Sequence, residues 1–298
     1  MLDYFTPPDF GSNVDCGLVA LLSTFICVAG LANRVNIPFF TRGGGLLTYS
    51  KFAAGFSSGP VLPSRLGMTL LYAPACVVAL LWFLPSGAAP IELVHTFPKP
   101  LSAAAAVLLH PGQASRASLS AALMVLHFLK RTLECLFLHK YSGSMPIASS
   151  VFIGVFYCIA SATCCHYARL TPPLGGALGA PIGTGPPTYA SVGLALALVG
   201  LAGNLYHHYL LARLRAPGAK GYVVPAGGFF EFVAAPHYFF ELVGWAGVAL
   251  VARHALVAGI FVAMSVYLAD RAVAQSEWNR KKLDAYPRSR GHLVPFLF

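Results

Sequence analysis

Charge is scarce in this chain: Asp, Glu, Lys and Arg together make up 10% of 298 residues. Soluble domains carry roughly 25%. With 57% hydrophobic residues and a mean hydropathy of +0.68, the deficit excludes an ordinary soluble domain and predicts a polytopic membrane protein. Acidic residues are the rarer sign, 10 Asp and Glu against 20 Lys and Arg, for a formal net charge of +10. No tract of five or more Lys or Arg interleaved with aromatics exists, so the excess reads as basic loops on one side of a membrane, not as a nucleic-acid surface. The frames of several soluble chemistries are also missing. There is no G-x-x-x-x-G-K-[ST] and no G-x-G-x-x-G after a strand, so a soluble nucleotide-binding fold is not expected. Without a G-x-S-x-G, no nucleophilic serine stands out. The seven cysteines (16, 27, 76, 135, 158, 164 and 165) form no C-x-x-C pair, and all lie in or beside apolar stretches. They read as small buried hydrophobes. Cys164-Cys165-His166 and His207-His208 place neighbouring ligands on different sides of a helix, a poor start for a tetrahedral site, so no metal is expected.

What is present is a set of apolar runs close to the ~20 residues that span a bilayer. They cover Cys16–Ala32, Leu66–Leu84, Ala117–Leu138, Ile147–His166, Tyr189–Leu211, Tyr238–Val251 and Ala255–Leu268. Leu101–Leu109 is apolar but too short to cross, and reads as interfacial or re-entrant. The residues before the first run include Asp3 and Asp9 and no Lys or Arg, so that run is expected to be a retained anchor and not a cleaved signal. Seven spans with a lumenal amino terminus and a cytosolic carboxy terminus put loops one, three and five and the basic tail on one side, as the positive-inside rule asks. The expected fold is therefore all-α, a single membrane domain over residues 1–298, with no internal repeat.

The chain is organised around Gly203 to Gly247, GNLYHHYLLARLRAPGAKGYVVPAGGFFEFVAAPHYFFELVGWAG. Asn204 and His208 are four apart and share a helix face, with Arg215 near it if the helix continues. His237, Glu241 and Trp245 form a second stripe at helical spacing. Polar residues aimed from two apolar helices at one Gly-rich loop mark a functional site, because a bilayer makes such groups costly. Upstream, Lys130, Arg131 and Glu134 lie in the last turns of the third run. Arg131, Arg213, Arg215 and Lys220 fall on one side and suit a polyanion such as a phosphorylated cofactor or a CoA.

The stretch KGYVVPAGGFFEFVAAPHYFFELVGWAG, followed by DAYPRSR and LVPFLF, resembles the steroid 5α-reductase family. LHFLKRTLECLFLHKYSGSMP resembles its relatives, the trans-2-enoyl-CoA reductases of very-long-chain fatty acid elongation. With TYSKF and the Pro63–Pro74 stretch the similarity covers nearly the whole chain, strongest over about 117–298; LHKYSGSM with GNLYHHYLL looks most like a plant branch. The resemblance implies an endoplasmic-reticulum enzyme of about seven helices. It would transfer hydride from NADPH to the β-carbon of an α,β-unsaturated carbonyl lipid drawn from the bilayer, either a 3-oxo-Δ4 steroid or a trans-2-enoyl-CoA. By position it implies NADPH contacts at Tyr49, Asn204, His208, Arg215, Tyr222, His237 and Glu241, with Arg131, His139 and Arg271 as polar neighbours.

The chain departs from the family pattern where the substrate carbonyl is polarised: Tyr72 stands where steroid reductases have Glu, and Phe128 stands after His127 where they have Tyr. A third departure, Trp278-Asn279 in place of a Tyr-bearing pair, falls on an implied cofactor contact. Tyr72 is then the candidate donor to the oxygen that gains enolate charge, and His127 a second candidate. Two other classes fit parts of the pattern: a non-catalytic NADPH- or sterol-binding protein, and a membrane methyltransferase with a Pro236-His237-Tyr238 entry.

Overall fold

In hydrocarbon every backbone N–H and C=O must be satisfied within its own segment, so apolar runs of this length fold as helices. A computed structural model of the chain describes residues 5–9, 11–32, 60–84, 95–96, 98–141, 143–170, 189–214 and 222–298. Its helices are α1 (Asn13–Ala32), α2 (Ser64–Leu81), α3 (Lys99–Leu109), α4 (Arg116–Leu133), α5 (Ile147–Leu170), α6 (Tyr189–Arg213), α7 (Pro236–Ala252) and α8 (Ala255–Lys282). Short strands β1 (Val61–Pro63) and β2 (Ser144–Pro146) pair antiparallel and tie the start of α2 to the start of α5, a small departure from the expected all-α class. Among the described residues, α2, α5, α6 and α8 are long and apolar enough to cross a membrane.

Local chemistry sets the helix ends. Ser115 caps α4 by accepting from the Ser118 N–H at 3.1 Å. Pro236 opens α7, where its missing N–H costs nothing. Arg253, with φ of 58°, turns the chain through the left-handed region, and the His254 ring then caps α8 by accepting from the Leu256 N–H. Several expected boundaries move, among them the end of the fourth run from His166 to Leu170. The second run ends as helix at Leu81, short of Leu84, and the last runs to Lys282 instead of stopping at Leu268. At ~1.5 Å per residue, the 28 residues of α8 are about 42 Å long, so the last turns outrun a hydrocarbon core of ~30 Å.

The helices alternate in direction and give the bundle two ends. At one end Tyr167 near the finish of α5 hydrogen-bonds Asp15, Thr6 bridges His254, and Arg116 donates to the Val251 carbonyl at 2.9 Å. The opposite end collects the starts of α2, α5 and α7 with the finishes of α4, α6 and α8. The tightest contact joins α6 to α7, where glycines face one another. A Cβ on Gly200 would lie 2.3 Å from the Gly244 nitrogen, and one on Gly247 2.4 Å from the Ala197 nitrogen. Small residues let the two backbones touch, the packing mode that substitutes for hydrophobic driving force in lipid.

Gly200→Ala should therefore lower the thermal midpoint of the detergent-solubilised protein, an overpacking cost of about 1–3 kcal/mol. Gly17→Ala, where a Cβ meets nothing within 4 Å, should not lower the midpoint, because Ala suits a helix interior better than Gly.

Candidate active site

The α6–α7 contact brings the two polar stripes together. Asn204 on α6 donates from Nδ2 to the His237 carbonyl at 2.8 Å and lies 3.4 Å from the Glu241 carboxylate. Its Oδ1 accepts from Lys130 Nζ, which points inward and not toward headgroups. Lys130 also donates to Glu134 at 3.1 Å.

Glu134 is placed by a change of helical register. The His139 N–H donates to the Glu134 carbonyl five residues back, at 2.8 Å, so α4 finishes in a π turn over Glu134–Leu138. The carboxylate then receives Arg131 at 2.7 Å through one oxygen, and contacts Lys130 and His208 Nδ1, each at 3.1 Å, through the other. Arg131 reaches His208 Nδ1 at 2.9 Å and donates its second nitrogen to the Tyr72 hydroxyl at 2.7 Å. Arg131 asks His208 Nδ1 to accept and Glu134 asks it to donate, so the two compete for one ring atom. Arg131 and Lys130 both pair with Glu134, and Glu241 meets the network through Asn204. Burial of this many ions is tolerable only with such pairing.

A cavity of about 330 Å³ opens on this network. Of the residues singled out in the sequence, Tyr72, Arg131, His139 and His208 line it, as do Tyr222, His237, Glu241 and Arg271. Asn204 stands behind the wall and orders it through Lys130 and His237. His127 is not in the lining: its ring packs edge-on against Trp245 at 5.3 Å and Phe128 at 4.9 Å. Arg213, expected to join Arg131, is exposed and donates to the Tyr209 hydroxyl at 3.2 Å instead. Tyr49, Arg215 and Lys220 lie outside the described residues.

The structure adds lining residues that the sequence pattern did not select. Gln275 on α8 beyond Leu268 and Leu283 just past its end line the cavity, beside Trp278 and Asn279, the pair that departs from the family pattern. Arg271, Gln275, Trp278 and Asn279 recur at the spacing of one helix face, and that period was the available signal. Tyr157 on α5 also lines the cavity, stacked on Tyr72 at 5.3 Å between ring centroids.

The lining carries Arg131, Lys140 and Arg271 against Glu241, an excess of positive charge suited to phosphates. His237 Nδ1 and Asn279 Nδ2 are buried without a hydrogen-bond partner and line the same space. Cationic groups and orphaned polar atoms around one cavity fit a phosphorylated dinucleotide. A metal fits less well. Glu134, His139 and His208 offer ligand atoms within 4.8 Å of one another, but Lys130 and Arg131 already engage the Glu134 carboxylate and Arg131 engages His208 Nδ1.

A family model described as 3-oxo-5-alpha-steroid 4-dehydrogenase matches residues 144–298. The chain is similar to 3-oxo-5-alpha-steroid 4-dehydrogenase 1 of Homo sapiens, 31% identical over 177 residues, 59% of this chain and 66% of the relative. The Bos taurus protein of the same description is 28% identical over 249 residues, 84% of this chain and 87% of its own. Very-long-chain enoyl-CoA reductase of Dictyostelium discoideum is 32% identical over 176 residues, 58% of this chain and 55% of the relative. The match thus spans just under two thirds of the human relative's length and less of the Dictyostelium one.

His139 sits outside the spanning helices, at the cavity mouth. Burial, reinforced by Arg131 and Lys130 and opposed by Glu134, lowers its pKa from 6.5 to about 4. The unfolded chain therefore binds more protons between those values, and stability present above pH 6.5 is lost as pH falls through about 4. His139→Gln should give a shallower loss of stability across that window than the wild type, read from unfolding midpoints against pH. Glu134→Gln should destabilise far more at neutral pH, on the order of 3–5 kcal/mol, because it leaves buried cations uncompensated.

Proposed function

The chain belongs to the 3-oxo-5-alpha-steroid 4-dehydrogenase family, and on that footing we propose that it reduces the C=C bond of an α,β-unsaturated carbonyl lipid with NADPH. The observation that carries this reading is the hydrogen bond from Arg131 to Tyr72 at the cavity wall. An oxygen that accepts from a guanidinium polarises its own O–H bond, and the phenol becomes a stronger donor to a substrate oxygen. The stack on Tyr157 holds the ring in place. Together they supply a carbonyl-polarising group from α2, while Phe128 on α4 is fully buried and offers none.

Arg131, Lys140 and Arg271 would hold the phosphates of NADPH, with His237 Nδ1 and Asn279 Nδ2 as further hydrogen-bonding atoms. When bound, the nicotinamide supplies hydride to the β-carbon of the enone. Negative charge then moves to the carbonyl oxygen, where the Tyr72 hydroxyl meets it, and a proton delivered to the α-carbon completes the reduction. The similarity to both a steroid dehydrogenase and an enoyl-CoA reductase supports two substrate classes, a 3-oxo-Δ4 steroid and a trans-2-enoyl thioester.

We place this domain, residues 1–298, across the endoplasmic-reticulum membrane with seven crossings. The end that carries the cavity faces the cytosol and the end that carries Asp15 and His254 faces the lumen. The charge pattern supports that orientation, since Arg280, Lys281 and Lys282 form the last turn of α8 at the cavity end and Arg288 and Arg290 follow it. A soluble cofactor then enters from the cytosol and the lipid from the bilayer.

Tyr72→Phe should cut kcat by about 10²-fold or more, the usual effect of losing one donor to a developing oxyanion, while NADPH affinity is kept. NADPH oxidation by purified protein, with each lipid and with product masses read in parallel, decides it. Wild-type turnover in the variant would remove Tyr72 from the chemistry.

A further inference from the structure

Residues 222–226 line one side of the cavity mouth through Tyr222, Val223 and Pro225, yet no helix or strand includes them. The turn that follows is unusual in its backbone. Gly227 and Gly228 both have positive φ, 88° and 54°. A side chain at the second would also meet His207 and Tyr206 at 2.9 Å. Such a segment needs something outside itself to fix it.

That support comes from one arginine far along the chain. Arg290 is 6% exposed, and it donates from Nη1 to the Pro225 carbonyl at 2.7 Å. Its Nη2 donates to Glu231 at 3.1 Å, and the other Glu231 oxygen accepts the Gly227 N–H at 2.7 Å. The guanidinium lies over the Tyr286 ring at 5.5 Å. Backbone pairing brings Arg290 there. Gly291 donates to the Phe232 carbonyl, and Ala234 and Ala235 donate to the Gly291 and His292 carbonyls, at 2.9 to 3.2 Å. Arg280 on α8 fixes the approach by donating to the Arg290 carbonyl at 3.1 Å. One fork thus spans the glycine turn, holding Pro225 before it and Glu231 after it, a task that suits a planar guanidinium and not an ammonium.

We propose that Arg290 is a positioning residue: it fixes the 222–228 wall of the cavity and thereby sets the affinity for NADPH, without touching the reacting atoms. This rests on the reading that the cavity takes NADPH. Glu231 holds the Gly227 N–H directly and steadies Arg290 from a half-exposed position, where the ion pair alone would hold little.

The test uses the full chain in nanodiscs and three variants, Glu231→Gln, Arg290→Lys and Arg290→Ala. Hydrogen exchange of peptides covering 222–231 should speed up in that order, with α7 and α8 unchanged. The KM for NADPH should rise about 10-fold in Arg290→Ala with kcat within about 3-fold, the pattern of lost binding and not of lost chemistry. Adding Glu231→Gln to Arg290→Ala should change neither quantity further. Unchanged exchange in 222–231, faster exchange spread through α7 and α8 in all three variants, or a fall in kcat at constant KM would overturn the proposal. If neither lipid is reduced, the proposed reaction fails. NADPH binding by Trp fluorescence, read beside the exchange order, then still decides the role of Arg290. A wild type that binds no NADPH overturns the cofactor part of both.

Discussion

Direct backbone contact between α6 and α7 is the constraint on which the site depends. Gly200 against Gly244, and Gly193 with Ala197 against Gly247, leave no room for side chains between the two backbones. At that distance the Asn204 amide reaches the His237 carbonyl, and the His208 and His237 rings come within 5.2 Å of each other. A larger residue at Gly193, Gly200 or Gly247 would push the two polar stripes apart. In lipid there is no hydrophobic gain to draw helices together, so contact quality at small residues decides where functional side chains stand.

Around that contact the chain buries charge in pairs. Arg131 is held by Glu134, His208 and Tyr72, and Lys130 by Glu134 and Asn204. Removing Glu134 would leave both cations without a contacting counter-ion, so the cluster behaves as a unit around that carboxylate. Tyr72 belongs to the same unit: the Arg131 guanidinium donates to its hydroxyl, and the stack on Tyr157 holds its ring.

Much of this was legible from residue spacing, and the exceptions have physical causes. Asn204, His208, His237 and Glu241 could be paired because helical period places each couple on one face, and the structure brings the faces together. Period alone does not say which way a face turns. His127 and Phe128 both sit on buried parts of α4, yet neither lines the cavity, and Arg131 one turn further on does. Arg213 shares a helix with His208 but lies five residues on, about 140° around, and so it reaches Tyr209 and water. The extension of α8 was missed because apolarity ends near Leu268, while the helix continues on a polar face that packs against the 222–225 segment and the tail. The role of Arg290 depends on contacts 65 residues apart, which no local pattern carries.

The cationic pair of α4 and its counter-charge lie within five consecutive residues, Lys130 to Glu134. This has a consequence for biosynthesis. A segment leaving the ribosome meets the translocon before α6 or α7 has been made, so partners on those helices cannot yet shield it. Lys130 and Arg131 bring their own carboxylate one turn away, and the helix can partition as a neutral-leaning unit. Later helices then replace water around an ion cluster that is already paired. Assembly of the site thus becomes an exchange of partners in a preformed cluster, and no bare charge has to wait in the membrane for the rest of the chain.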